Sequence, residues 1–392
     1  MTDRMEKTRL GPLLVLSLIC ASALSPLAIN IFIPSMASIA SDLSADPTTI
    51  ALGLSLFLVM VAAVQLVAGP LSDKFGRKPV ILAGMMLYLL GTLLCIYAQD
   101  GPTFLAGRVI QASSATGMVL SRAIVRDLFS RDKAASMIGY VTMGLAVAPL
   151  FGPAIGGVLD TWLGWRSVFW LLAVCGVITT ALIAFFLPET NQSRGKPMLM
   201  QLNSYRFLFR SLAFWRYAST AALISAVFFG FLGGAPFIAS HILGMSPAEY
   251  GLWFMVCSLG YILGNFITGR MSQRVGINRM MVIGSSLTLF SAVITLVCFL
   301  AGYITPTTLF LPMLVLGVGN GLSVPTSVAG GVSVQPEAAG AAAGLLGAFQ
   351  MGICACAAAF ASALAHSPIA VATFMVVMGV LGTTCAVLRE PR

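Results

Sequence analysis

The residues able to do chemistry in this 392-residue chain are few, and most are charges or amides set among apolar neighbours. Arg108 and Gln111 stand three apart in a stretch from Thr103 to Ser121 that holds no other charge, so on a helix they share a face. A guanidinium in such surroundings costs about 2.5–3.5 kcal/mol on membrane-insertion scales, which demands a partner or a water-filled cavity. Two readings follow: hydrogen bonds to neighbouring backbone or to Asn30, or a cavity cation that binds substrate or tunes proton coupling with help from Gln111. Asp73 poses a second question, because a carboxylate among Lys74, Arg77 and Lys78 weakens an otherwise cationic loop. It is expected to pair across helices, with Arg122, Arg126 or a helix N-terminus, as a latch that breaks when the flanking bodies rock; a static fold contact is the alternative.

Other chemistry is missing from the pattern. No nucleophile and base, metal-ligand spacing or Gly-x-x-x-x-Gly-Lys-Ser/Thr phosphate loop occurs, which argues against an enzyme and against intrinsic ATP-driven pumping. The eight cysteines all fall in apolar stretches, where a thiol packs as a small apolar group, and His241 and His366 have no ligand partner at useful spacing. No cofactor and no metal are expected.

The elements that must position these residues follow from composition. The chain is 58% hydrophobic and 9% charged, whereas a soluble domain carries about a quarter charged residues. No charge lies between Leu10 and Ser41, Pro47 and Ser72, Pro79 and Gln99, Ala134 and Leu159, Ser167 and Pro188, Tyr217 and Ser240, or Tyr250 and Gly269. Each window suits one membrane-spanning helix. The stretch from Met280 to Pro336 divides at Gly302 to Pro306, that from Ala338 to Leu388 divides at His366-Ser367-Pro368, and the window holding Arg108 completes twelve spans. Arg4, Lys7 and Arg9 with Ala21-Ser22-Ala23 imitate a cleaved signal, but apolar character continues through Pro26 to Pro34 and fits a retained first span.

With the N-terminus in the cytoplasm, 20 of the 22 Lys and Arg residues fall on the inner side, while Asp42, Asp46, Asp100, Asp160 and Glu249 fall outside. The net charge of +9 is therefore topological, with no nucleic-acid partner, and both termini are expected in the cytoplasm of an inner-membrane protein. A linker at residues 189–213 separates residues 1–188 from 214–392, two six-helix halves. The repeat of Gly69 to Lys78 after span two as Gly269 to Asn278 after span eight supports that division and places a substrate site between the halves. Two glycines of the first copy, Gly69 and Gly76, are expected to supply positive φ for a tight reversal.

Gly69, Leu71, Asp73, Lys74, Gly76, Arg77 and Lys78 fill the Gly-x-Leu-x-Asp-Arg/Lys-x-Gly-Arg-Arg/Lys motif, and here the chain resembles the major facilitator superfamily. Gly152-Pro153-Ala154-Ile155-Gly156-Gly157 in span five is similar to the mark of its twelve-span drug:proton antiporters. Pro26-Leu27-Ala28-Ile29-Asn30, Arg122-Ala123-Ile124-Val125-Arg126-Asp127, Trp165 to Trp170, Pro188-Glu189-Thr190 and Gly234-Ala235-Pro236-Phe237 resemble the bicyclomycin-resistance (Bcr/CflA-type) branch.

The resemblance implies an all-α membrane fold and a monomeric carrier that exports apolar or cationic drug-like or related small molecules by alternating access, coupled to proton entry. Its substrate cavity is expected around Asn30, Arg108, Gln111 and Phe237, its gate around Gly69, Asp73, Gly76, Arg77, Arg122, Arg126 and Asp127, and a moving or passive helix contact at Gly152, Pro153, Gly156 and Gly157. Aromatics such as Phe228, Phe229 and Tyr261 can line an adaptable apolar pocket, and Gln65, Asn265, Asn320 and Gln350 suit interhelical hydrogen bonds.

One departure matters: Asn30 stands where that branch has an acid, and no carboxylate lies deep in any span. An amide does not titrate, so either Asp73, Asp127 or Glu249 couples protons from a helix end, or the carrier is a facilitator or exporter of a specific metabolite, anionic if Arg108 attracts it. A non-transporting membrane scaffold or sensor is a third reading.

Overall fold

The computed structural model describes residues 12–128, 137, 148, 151–191, 207–335 and 339–388, apart from the side chains of Arg126 and Ala339. Among them, ten helices are long and apolar enough to cross a membrane. Span one is Pro12–Asp42, two Pro47–Phe75, three Arg77–Tyr97, six Arg166–Phe186, seven Leu212–Ile242, eight Pro247–Val275, nine Ile277–Leu300, ten Pro306–Ser333, eleven Ala341–Ala363 and twelve Pro368–Val387. Span four comprises Gly101–Gln111 and Ala115–Leu128, joined by a tighter turn at Ala112–Ser114. Of span five, residues 151–163 form a continuous helix. Pro149, most of the first half of span five and linker residues 192–206 lie outside the described residues.

The starts of the spans are written in short signals. Spans two, four, eight, ten and twelve each open on a side-chain cap with proline in the first turn, the caps being Asp46, Asp100, Ser246, Thr305 and Ser367. Each cap accepts a backbone N–H that the helix cannot satisfy, and proline lacks the N–H that would be orphaned there. The Thr48 hydroxyl and N–H hold the Asp46 carboxyl below the usual carboxylate range, as the Thr103 N–H does for Asp100. These starts all lie at one end of the bundle, the sparsely charged face.

At the opposite, basic face, spans two and three turn on Gly76 alone (φ 107°), and spans eight and nine turn on Gly276 (φ 86°). Only glycine takes such a φ without strain, so the sequence repeat is also a repeat of geometry. Gly69 corrects the expectation: the helix of span two continues to Phe75, so Gly69 is helical and needs no positive φ.

Spans one, two, three, four and six pack on one another, as do spans seven to twelve, and span eleven lies along span two. Two spans are irregular near the sparsely charged face. Span one breaks between Asn30 and Ile33, just ahead of Pro34, and span seven passes through a wide turn at Ile238–Ile242 after Pro236. Proline removes a helical hydrogen bond and crowds the carbonyl four residues back, which accounts for the break in span one at Asn30.

Candidate functional site

Halfway along the spans the bundle encloses a cavity of about 240 Å³. Span one supplies Ser25 and Asn30, span four Met118, span seven Ser225, Phe228 and Phe229, span eight Ser258 and Tyr261, span ten Asn320, and span eleven Gln350 and Met351. Among the described residues its lining carries no charge. Asn30 donates through Nδ2 to the Pro26 carbonyl at 2.8 Å, while its buried Oδ1 has no partner among the described residues. Gln350 donates to Ser225 Oγ at 2.7 Å. The wall therefore offers amides, hydroxyls and aromatic faces, a set that recognises an uncharged molecule with hydrogen-bonding groups and an apolar body.

Arg108 and Gln111 do not line this cavity, contrary to their expected place. Arg108 is fully buried, its guanidinium 4.0 Å and 4.5 Å from the ring centroids of Phe32 and Phe57. Nη1 donates to the Ala28 carbonyl at 3.1 Å and to Gln111 Oε1, and Gln111 donates onward to Thr92 Oγ1 at 2.9 Å. The partner is thus backbone two residues before Asn30, whose own amide is turned to Pro26. Cation–π contacts worth about 2 kcal/mol when desolvated, and hydrogen bonds from a charged donor worth about 1.5–3 kcal/mol, are of the size needed to offset burial.

Phe237 also lies elsewhere. It lines a small separate cavity with Met36, Pro47 and Thr48 at the sparsely charged face. There its ring stacks on His241 at 4.3 Å and meets His366 edge-on at 4.7 Å.

At the same end span five packs closely on its neighbours. A Cβ built on Gly152 would sit 3.3 Å from Asn30 Cβ, and one on Gly156 only 1.9 Å from the Ile31 carbonyl oxygen, so these two glycines seat on span one. Gly157 faces span eight, where a Cβ would lie 2.1 Å from the Pro247 carbonyl oxygen, and Gly251 of span eight meets the Pro153 carbonyl in the same manner.

One turn beyond Gly156 on the same face stands Asp160, which the sequence analysis counted among the acids on the outer side. It is 7% exposed and accepts a hydrogen bond from Ser38 Oγ of span one at 2.8 Å. The signal was present in the spacing, since positions 152, 156 and 160 align on a helix.

At the basic face Asp73 pairs with Arg77 at 2.6 Å, and Arg77 Nε reaches Asp127 Oδ2 of span four at 3.2 Å. Arg122, named as a partner for Asp73, is exposed and meets no carboxylate among the described residues; it lies one turn beyond Met118 on the same helix face. Arg126's side chain is outside the described residues. Glu189 accepts the Arg77 and Lys78 backbone N–H groups at 2.9 and 3.3 Å, capping span three from a distant part of the chain. Glu189→Ala is expected to lower stability by about 0.5–1 kcal/mol, read by thermal unfolding of the purified protein in detergent.

An apolar helix bundle that closes over a central, uncharged, hydrogen-bonding chamber is the build of a membrane carrier. The profile of the Major Facilitator Superfamily matches residues 18–358, and again 234–391, so the chain belongs to that family, as a multi-pass transporter of small molecules and not an enzyme. It is 34% identical over 63% of its length to an uncharacterized MFS-type transporter of Bacillus subtilis, a match spanning 63% of that relative. It is 30% identical to a bicyclomycin resistance protein homolog of Haemophilus influenzae, over 68% of each chain. In fold it is similar to a bacterial homolog of the human lysosomal transporter Spinster, crystallised inward-facing and unoccupied (TM-score 0.68, 17% identity, covering 96% of this chain and 97% of that one). It is thus related to drug-resistance exporters.

Proposed function

We propose that the chain exports uncharged, hydrogen-bonding drug-like compounds across the cytoplasmic membrane, by rocking of residues 1–188 against 214–392 and driven by proton entry. The observation that carries this reading is the charge-free wall of the central cavity, with the buried Asn30 Oδ1 left to accept from a ligand N–H or O–H. A cation would meet no carboxylate among the described lining residues, and the guanidinium that suggested an anion lies behind the wall, its Nη1 donating to Ala28 and Gln111. The Haemophilus relative's name points to bicyclomycin, a molecule without net charge that bears hydroxyl and amide groups. The sparsely charged face is then the outer one, and the contacts of span five with spans one and eight close it.

The test is transport in proteoliposomes under an imposed pH gradient with bicyclomycin, ethidium and benzoate as uncharged, cationic and anionic probes. Bicyclomycin is expected to accumulate uphill and to lose that accumulation on addition of a protonophore. Uphill movement of ethidium alone, or downhill movement of benzoate indifferent to pH, would overturn the reading.

A further inference from the structure

We infer that Asp160 is the proton-binding site of this carrier, at the packed seam between span five and the outer segment of span one. The inference rests on the proton-driven reading above, and it answers the difficulty that Asn30 leaves, since a proton-coupled carrier needs a group that takes up and releases H⁺.

Three observations carry it. First, the carboxylate is buried, with a hydroxyl as its partner: Ser38 Oγ donates to Oδ2 at 2.8 Å, and the Ser35 hydroxyl, one turn back on the same face, faces the carboxylate from outside hydrogen-bond geometry. No cation pairs with Asp160 among the described residues. A carboxylate locked to an arginine stays ionised, whereas one held by hydroxyls alone can carry or lose a proton. The other charged and titratable groups at this end are engaged elsewhere: Arg166 pairs with Asp42, Glu249 closes the cap of span eight with Ser246, Asp46 and Asp100 cap spans two and four, and His241 and His366 pack on Phe237.

Second, the position borders the contact between spans five and eight. Asp160 follows Gly157 by three residues, so the two are neighbours on span five, and Gly157 is where the start of span eight presses at Pro247 and Ala248. Withdrawal of span eight bares the seam to outer water; its return seals the carboxyl. The step is a simple proton transfer: outer water protonates a carboxylate oxygen, and the same O–H bond breaks when the proton leaves toward the inner side.

Third, the inward course is marked by underpaired polar atoms. Ser35 Oγ and Asn30 Oδ1 are both buried without partners among the described residues, and along span one they lie between Ser38 and the central cavity. Sites of that kind hold bridging water, which relays protons.

Infrared pH-difference spectra of the purified full chain in detergent test the inference without a substrate. A carboxyl C=O component of a buried group, resolved in position from the band of the solvent-exposed acids, is expected to titrate in the unaltered protein and in Asp100→Asn, and to vanish in Asp160→Asn. In proteoliposomes, Asp160→Asn is expected to lose pH-driven uphill accumulation of bicyclomycin while still equilibrating it downhill, and Asp160→Glu to restore part of the uphill component. Persistence of that component in Asp160→Asn, its absence from the unaltered protein, or retained uphill transport by Asp160→Asn would each overturn the assignment. If the unaltered protein itself shows no pH-driven transport, the proposed function fails instead, and the infrared titration still judges Asp160. Monodisperse elution of Asp160→Asn excludes misfolding as the cause.

Discussion

Gly157→Ala is expected to insert and fold, yet to transport roughly 5- to 150-fold more slowly, because the added methyl blocks closure at the sparsely charged face. A Cβ at this position would stand 2.1 Å from the Pro247 carbonyl oxygen, well inside the distance that real Cβ atoms keep. Backbone cannot rotate away as a side chain can, so spans five and eight must separate. Overpacking of this kind costs about 1–3 kcal/mol, and here the cost falls only on the arrangement in which the two spans touch. The equilibrium between open and closed forms then shifts by the corresponding factor, and a cycle that must pass through the disfavoured form slows.

The neighbouring glycine separates this effect from simple misfolding. Gly156 faces span one, which packs in the same group of helices, so Gly156→Ala is expected to reduce the yield of folded protein rather than to redistribute its states. Gly269→Ala is the control, because nothing lies within 4 Å of its built Cβ. Spin labels at the ends of spans five and eight should report a longer distance in Gly157→Ala and no change in Gly269→Ala. An unaltered distance in a folded Gly157→Ala protein would remove the closure argument.

These residues also show what a sequence discloses and what it withholds. Hydrocarbon excludes charge so strongly that uncharged runs mark the spans without any knowledge of packing, and cap-proline pairs mark where they begin. Close helix contact at Gly152, Gly156 and Gly157 was likewise legible, since three small residues on a helix admit a neighbour's backbone. Which neighbour was not, because adjacent glycines point to different helices and only the assembled bundle says that these are spans one and eight.

Where side-chain direction decides, the reading went astray for physical reasons. Phe237 lies further along span seven than Phe229, beyond the central chamber and against two histidines. Asp73 pairs with Arg77, four residues on, a partner the sequence reading did not name, because the helix runs to Phe75 and the turn is a single glycine; the Arg126 side chain named for it lies outside the described residues. Asp160 was counted only among the acids on the outer side; the group that meets it, Ser38, is more than a hundred residues away. The burial of Arg108 was plain from its setting, but its partner, the Ala28 carbonyl, carries no mark in the sequence.

Gln111→Leu is expected to destabilise the chain by about 2–4 kcal/mol, more than replacement of Arg108 itself. The amide is the side-chain acceptor for a guanidinium that is fully buried, and Nε and Nη2 of that guanidinium already lack partners among the described residues. Leucine keeps the volume and removes the oxygen, so Nη1 is left with the Ala28 carbonyl, and Thr92 Oγ1 loses its donor. A stranded buried charge is penalised more heavily than an absent one. Arg108→Met removes the charge with its partner's burden and leaves an apolar chain between Phe32 and Phe57, where the contact is largely dispersive. The double variant Arg108→Met/Gln111→Leu should therefore be more stable than Gln111→Leu alone, with a coupling of about 1–3 kcal/mol in a double-mutant cycle of unfolding in detergent. Because neither side chain lines the central cavity, KM for a transported probe is expected to stay the same in every folded variant. A raised KM in Arg108→Met at undiminished stability would return that guanidinium to the cavity and contradict its placement behind the wall.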